Sequence, residues 1–298
     1  MEYSSIILLA LSLGFECYEN ERLSTRTTFK IGGPADVLIE CGNSAKLPQL
    51  LAEIKQKNIP LTVIGKGSNL LVADEGIRGV VLLVSDDKVT VDGDIITASA
   101  GAKLSKLCNA ALESGLSGLE FAFGIPGSVG GAVYMNAGAY GGEIKQVIVS
   151  VTSITRDGKL ILRSADELNL GYRTSVFKQN NEIILSAEFK LELAERNEIK
   201  AKMDDFIARR KDKQPLEYPS AGSTFKRPEG YFAGALIEQC GLKGFSIGGA
   251  EVSTKHAGFV INKVNATWRD GMDLIQHIQK AVLSKTGVAL ETEVIYLR

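Results

Sequence analysis

Three glycine clusters carry the clearest chemical signal in this sequence. Ile31-Gly32-Gly33-Pro34 is the first and Ile64-Gly65-Lys66-Gly67-Ser68-Asn69 the second. The third is Gly124-Ile125-Pro126-Gly127-Ser128-Val129-Gly130-Gly131, which runs on to Asn136-Ala137-Gly138-Ala139-Tyr140-Gly141-Gly142. Glycine makes up 31 of 298 residues, above the ~7% of an average protein, so its concentration in short stretches is informative. Without Cβ the main chain can turn its N–H groups inward and approach an anion closely, the chemistry of a phosphate-binding nest. Two such loops, with Ser and Asn side chains as further donors, suit a pyrophosphate. Read alone, each glycine pair is equally consistent with a tight turn. The common nucleotide fingerprints are absent: Gly65-Lys66-Gly67 lacks the third glycine of GxGxxG, and no GxxxxGK[ST] occurs. A P-loop NTPase and an ordinary Rossmann dehydrogenase are disfavoured.

Other chemistries find little support. His256 and His277 are the two histidines, and no nucleophilic triad is evident around them. Cys17, Cys41, Cys108 and Cys240 are far apart with no CxxC pair, which argues against a zinc site and a disulfide scaffold; no metal is expected. With 34 Lys+Arg against 35 Asp+Glu, the chain offers no field for nucleic acid and no polybasic strip for a membrane. Ile6 to Leu13 is apolar but too short to span a bilayer, and no basic region precedes it. It reads as a buried helix of a cytoplasmic protein, and the charge pattern gives no reason for an obligate oligomer, so a monomer is expected.

The elements that would position these loops follow from periodicity. Leu47, Leu50, Leu51 and Ile54 keep the spacing of an amphipathic helix, Leu61–Ile64 and Gly79–Val84 read as strands, and Asp92-Gly93 marks a hairpin within 88–98. Lys103–Ser114 reads as a helix stopped by Gly115, and Val147–Thr155, Lys159–Leu162 and Ile183–Leu193 as strands. A charged helix spans Glu195–Lys213, others lie around Gly230–Cys240 and over Arg269–Lys285, and Val288–Leu297 reads as a final strand. The fold class is α+β. The expected partition is 1–84, 85–194 and 195–298, with a boundary near residue 195.

The order of motifs GKGSNLL, GIPGSVGGAVYMNAGAYGGE, GYRTSVFK, YPSAGSTFKRP and LETEV resembles the UDP-N-acetylenolpyruvoylglucosamine reductase family from about Thr27 to Leu297. Lys30 stands where Arg is expected before the Gly-Gly pair, with charge kept. The resemblance implies a vanillyl-alcohol-oxidase-like FAD-binding domain made of two α+β subdomains (1–84 and 85–194), followed by an α+β substrate-binding domain (195–298) in the shorter form that lacks a tyrosine-bearing loop. It implies noncovalent FAD, NADPH as reductant, and reduction of the enolpyruvyl double bond of UDP-N-acetylglucosamine-enolpyruvate to give UDP-N-acetylmuramate for peptidoglycan. The competing reading is another FAD-dependent oxidoreductase of the alcohol-oxidase type on the same fold.

The resemblance also assigns residues. Gly65, Lys66, Gly67, Ser68 and Asn69, with Pro126, Gly127, Ser128, Gly130 and Gly131, would hold the FAD pyrophosphate, and Asn136 and Gly138 would line the same cleft. Ser223 would be the proton donor; residue chemistry alone does not choose between it and Ser220. Arg173 would stabilise the enolate, a role suited to a planar, permanently charged fork. The pattern Leu-x-x-Glu-Val selects Glu293, although strand periodicity places Glu291 and Glu293 on one face. Tyr172, Lys226, His256 and Asn262 are expected substrate contacts, Trp268 a packing residue, and His277 solvent-facing.

Overall fold

The computed structural model describes residues 3–298. Helix α1 (Ser4–Ser12) buries Ile6 and Ala10 and exposes Leu8 and Leu11. Strands β1 (Glu16–Arg22) and β2 (Pro34–Cys41) lead to α2 (Leu47–Gln56), whose Leu47, Leu50, Leu51 and Ile54 all turn inward as their spacing requires. Strands β3 (Leu61–Ile64), β4 (Leu70–Val72), β5 (Ile77–Val84), β6 (Val89–Asp92) and β7 (Ile95–Ser99) precede α3 (Leu104–Glu113). The glycine-rich middle of the chain forms β8 (Leu116–Ser117), α4 (Val129–Tyr134), β9 (Gly138–Ala139) and β10 (Gly142–Glu143). Then come β11 (Ile148–Ile154), β12 (Leu160–Ser164), α5 (Phe177–Asn180), β13 (Ile183–Lys190) and β14 (Glu192–Leu193). The last third contains α6 (Arg196–Lys213), α7 (Ala233–Gln239), β15 (Ser246–Ile247), β16 (Ala250–Val252), β17 (Val260–Asn262), α8 (Trp268–Thr286) and β18 (Ile295–Leu297).

The chain folds into two compact units. One takes the chain up to Glu19, Val37–Lys66 and Gly79–Arg210; the other takes Asn20–Asp36, Gly67–Arg78 and Lys211–Arg298. This grouping differs from the contiguous partition at residues 84/85 and 194/195. Segments 20–36 and 67–78 join the C-terminal residues because their apolar side chains (Phe29, Ile31 and Leu71) pack in the core that Leu274, Ile275 and Ile278 of α8 build. Helix α6 begins just past the boundary expected at 195, yet its Ile199 and Met203 are buried in the first unit's core, and the division between the units falls at Arg210/Lys211.

In the first unit a four-stranded sheet runs β1-β2-β5-β3, with β3 and β5 parallel from Leu61↔Val80 to Ile64↔Leu83. Parallel strands covered on both faces read as unbroken apolar runs, and Val80–Val84 is buried throughout. A second, five-stranded sheet is antiparallel in the order β12-β11-β13-β7-β6. Its β6–β7 hairpin closes at Asp92↔Ile95 with Gly93 at φ +59°, the left-handed backbone that tight hairpin turns demand.

In the second unit, β15-β16-β17 form a small antiparallel sheet and β18 pairs in parallel with β4. Thr267 and Asp270 cap α8 reciprocally, and Gly287 at φ +73° ends it. The final strand is shorter than its sequence suggests: only Ile295–Leu297 is regular. Residues 288–294 follow an irregular path because their backbone bonds go instead to 224–226, where a single bridge joins Phe225 and Thr292.

Leu50 is fully buried and Leu8 is 68% exposed. Leu50→Ala should cost about 2–5 kcal/mol and Leu8→Ala less than about 0.5 kcal/mol, measured by urea denaturation followed by circular dichroism. Equal losses would contradict this assignment of the core.

Candidate active site

The second glycine loop leaves β3 at Ile64. A Cβ at Gly65 would lie 2.8 Å from the Ser128 hydroxyl, so two of the glycine loops meet within the first unit at a point where an added side chain would displace that hydroxyl. At Gly67, φ is +63° and a Cβ would fall on the Arg26 carbonyl. The third loop is stapled to the segment before α3. Leu104 N donates to Gly127 O, Val129 N to Ala102 O and Gly130 N to Ala100 O at 3.1, 2.9 and 2.8 Å, and a Cβ on Gly130 would sit 2.9 Å from Ala100 Cβ. Buried Ser128 caps α4, while Lys66 and Pro126 are exposed. Main chain held this close without side chains is suited to an anion such as a dinucleotide pyrophosphate. The residues present fit such a cofactor.

Arg173 occupies the tip of a four-residue turn. Gly171 and Thr174 exchange backbone hydrogen bonds at 3.2 Å in both directions, and Arg173 lies at φ +54°. That conformation costs a residue with a side chain roughly 1–2 kcal/mol, and such strain clusters at functional sites. The other non-Asn, non-Gly described residues with positive φ are Lys30 (+58°) and Tyr140 (+53°), both beside glycine clusters. Arg173 Nη2 donates to Gly138 O at 3.3 Å, its guanidinium lies 5.1 Å from the Tyr172 ring centre, and its carbonyl accepts from Lys178 Nζ at 2.7 Å. Lys178 as an anchor was not expected from the sequence; its only signal was its place at the end of the GYRTSVFK motif.

Asn136 is fully buried at φ +41°. Its Nδ2 donates to Glu143 Oε2 at 2.9 Å and to Gly171 O at 3.0 Å, while Oδ1 accepts from Lys145 N at 2.9 Å. Both amide protons are thus used within the protein, so this side chain has no donor left for a ligand.

Ser223 and Glu293 lie together in the second unit. Ser223 is exposed, and the buried Thr224 beside it is clamped: its N donates to Gly258 O, its Oγ1 accepts from Val260 N, and its carbonyl accepts from Glu293 N at 2.9 Å. Asn69, expected on a cofactor loop, donates from Nδ2 to Glu293 O at 3.0 Å, and its own carbonyl accepts from Ile295 N. Two hydrogen bonds therefore fix the backbone of residue 293, one to Thr224 O and one from the Asn69 amide. The alternative carboxylate, Glu291, is exposed and paired with Lys226 Nζ at 2.8 Å, which holds its carboxyl below the usual range.

The remaining candidates divide. Tyr172 is 52% exposed. Asn262 is buried, donating to Phe29 O and accepting from Ala266 N, so it braces the second unit. His256 accepts from Gly258 N through Nδ1, and burial pushes its pKa down, keeping the ring neutral. Trp268 packs edge-on against Tyr296, whereas His277, expected in solvent, is half-buried and stacked on Phe245 at 4.4 Å. Burial pushes the Cys41 thiol up to about 11 and Cys108 up to about 12, removing both as nucleophiles at neutral pH.

Residues 214–297 match the family model for the UDP-N-acetylenolpyruvoylglucosamine reductase C-terminal domain, and residues 35–162 match a model for an FAD binding domain. A UDP-N-acetylenolpyruvoylglucosamine reductase of Clostridium novyi (strain NT) is 52% identical over 280 residues, covering 94% of this chain and 91% of its own. The protein of the same name from Caldanaerobacter subterraneus subsp. tengcongensis is 51% identical over 278 residues, covering 93% and 92%. The crystal structure of the UDP-N-acetylenolpyruvylglucosamine reductase from Thermus caldophilus superposes with a TM-score of 0.81 at 35% identity, covering 95% of this chain and 99% of that one.

The strained turn gives a direct test. Arg173→Gly and Arg173→Ala both remove the guanidinium, but glycine accepts φ +54° without penalty. The Gly variant should be more stable than the Ala variant by about 1 kcal/mol, read as a higher melting temperature. An Ala variant as stable as the Gly variant would show that residue 173 is not strained.

Proposed function

The chain belongs to the UDP-N-acetylenolpyruvoylglucosamine reductase family, and from that premise we propose that Arg173, Ser223 and Glu293 act together on the enolpyruvyl group. The protein is an FAD-dependent, NADPH-using oxidoreductase of peptidoglycan precursor synthesis. Within that activity, the observation that best supports the residue assignment is the clamp between Thr224 O and Glu293 N, which sets the two motifs carrying Ser223 and Glu293 side by side.

FAD held by this chain would supply the two-electron chemistry that links NADPH to the methylene carbon of the enolpyruvyl double bond. Every other requirement falls on the chain. Residues 65–69 and 126–131 bind the pyrophosphate through main chain, and Gly138 belongs to the same wall. As hydride arrives, negative charge spreads from the adjacent carbon into the substrate carboxylate. The Arg173 guanidinium is the group able to match that charge with a planar fork. Ser223 Oγ gives its proton to the adjacent carbon and is reprotonated from solvent, a route its exposure allows. Glu293 orients or protonates the carboxylate region. Tyr172 and Lys226 are proposed contacts to the nucleotide sugar UDP-N-acetylglucosamine-enolpyruvate, whereas His256 and Asn262 support the site through the backbone they hold. The enzyme works as a cytoplasmic monomer on this reading, where its nucleotide-sugar substrate and NADPH are made. Among the described residues no helix is long and apolar enough to cross a membrane.

Anaerobic half-reactions test this. NADPH should bleach the absorbance near about 450 nm, and the enolpyruvyl nucleotide should restore it. In Ser223→Ala the bleaching rate should be unchanged, while recovery slows by roughly 10²–10⁴-fold, the usual scale of a lost general acid. Recovery at the wild-type rate would remove Ser223 as the proton donor.

A further inference from the structure

Arg173 sits at the tip of a strained turn, and its side chain is long and flexible. Holding such a group in one place needs anchors on its backbone, because strain alone would release the turn. Two are present. Asn136 Nδ2 donates to Gly171 O at 3.0 Å, at the entry of the turn, and Lys178 Nζ donates to Arg173 O at 2.7 Å, at its tip. Lys178 is itself placed by the Tyr134 ring, 5.6 Å below its ammonium, and Ser175 Oγ donates to Tyr134 O at 2.8 Å. Asn136 is placed by Glu143 and the Lys145 amide. Asn136 and the Tyr134 ring beneath Lys178 thus both lie at the C-terminal end of α4, the helix that follows the glycine loop.

We propose that Asn136 and Lys178 are positioning residues that hold Arg173 in its strained turn, and that Asn136 acts through this turn rather than by touching the cofactor. The inference rests on the assignment of Arg173 to the enolpyruvyl carboxylate. It predicts a defect confined to the half-reaction in which Arg173 acts.

The decisive variant is Asn136→Asp, which keeps the shape and removes both donors. Buried beside the Glu143 carboxylate and the Gly171 carbonyl, the new carboxyl should have a raised pKa. Protonated, it can still donate one hydrogen bond; ionised, it repels both acceptors. Activity of this variant relative to wild type should therefore fall as pH rises. The charged groups around it are Glu143, Lys145 (whose ammonium pairs with Glu143 at 2.7 Å), Arg173 and Lys178, and all of them are common to both proteins. In the holoenzyme, FAD content and the rate of bleaching by NADPH should stay within about twofold of wild type. Reoxidation by saturating enolpyruvyl nucleotide should slow by roughly 10–100-fold at high pH, as a loss in kcat rather than KM. Asn136→Asp/Glu143→Gln places an amide donor opposite the new carboxylate and should recover part of the rate. Lys178→Met keeps the stem on Tyr134 and should show the same selective slowing without the new pH dependence, which keeps the test alive if the buried variant fails to fold.

Loss of FAD in parallel with activity would overturn the proposal and return Asn136 to the cofactor wall. Wild-type reoxidation in Asn136→Asp or in Lys178→Met would also overturn it. Arg173→Ala separates the two levels: if it reoxidises at the wild-type rate, the assignment of Arg173 itself is lost, whereas a slow Arg173→Ala beside fast anchor variants removes only the positioning claim.

Discussion

The site depends on glycine main chain lying close against neighbouring segments, against a side-chain atom at Gly65 and Gly130 and against backbone at Gly67. At Gly65 the loop after β3 closes on the Ser128 hydroxyl, at Gly130 the first turn of α4 closes on Ala100, and at Gly67 the backbone turns left-handed over Arg26. Each approach is set by the absence of one carbon atom. A charged side chain could offer an anion stronger attraction, but it would also bring rotamer entropy and an unneeded net charge. Main-chain amides pinned to neighbouring segments are already in place, so they lose little freedom on binding. On the proposed assignment, a near-neutral chain handles phosphate through local amide dipoles rather than through net charge.

The side chains proposed to react face the opposite demand, since they must carry groups that are flexible or weakly acidic. The structure meets it by fixing the backbone beneath them. Residue 293 is tied to 224 and to Asn69, and 224 is tied to 258 and 260. The turn bearing Arg173 is tied at Gly171, Arg173 and Ser175. Strain at φ +54° is tolerated because those bonds over-determine the turn. Buried polar groups that are fully bonded, such as Asn136, add specificity to the local geometry at little cost, whereas a half-bonded one would be destabilising.

Much of this was legible in the sequence, for reasons that differ by level. The spacing of Leu47, Leu50, Leu51 and Ile54 gave α2, and the apolar run ending at Val84 gave a buried strand, because both signals are local. The glycine loops were legible as places of close main-chain approach, as Gly67 against the Arg26 carbonyl shows. The roles of Ser223, Arg173 and Glu293 came from family resemblance, since a lone serine, arginine or glutamate has no distinctive local pattern. Long-range pairing was out of reach. The exchange of 20–36 and 67–78 into the C-terminal unit depends on Phe29, Ile31 and Leu71 packing more than 140 residues away in sequence. The last strand looked longer than it is because extended apolar residues that bond irregularly read like a strand. Glu291 and Glu293 shared a face by periodicity and are separated only by partners: Lys226 for the first, the backbone of Thr224 for the second. The resemblance placed Asn136 along the cofactor cleft, whereas its amide protons go to partners 7 and 35 residues onward.

The most direct test of the central claim is the affinity of the apoprotein for FAD when a single methyl group is added at residue 65. Fluorescence titration of Gly65→Ala should show a dissociation constant raised at least tenfold, about 1.4 kcal/mol, with a thermal unfolding transition still cooperative. Binding as tight as that of the unaltered chain would mean that the approach of Gly65 to Ser128 does not build the phosphate cradle.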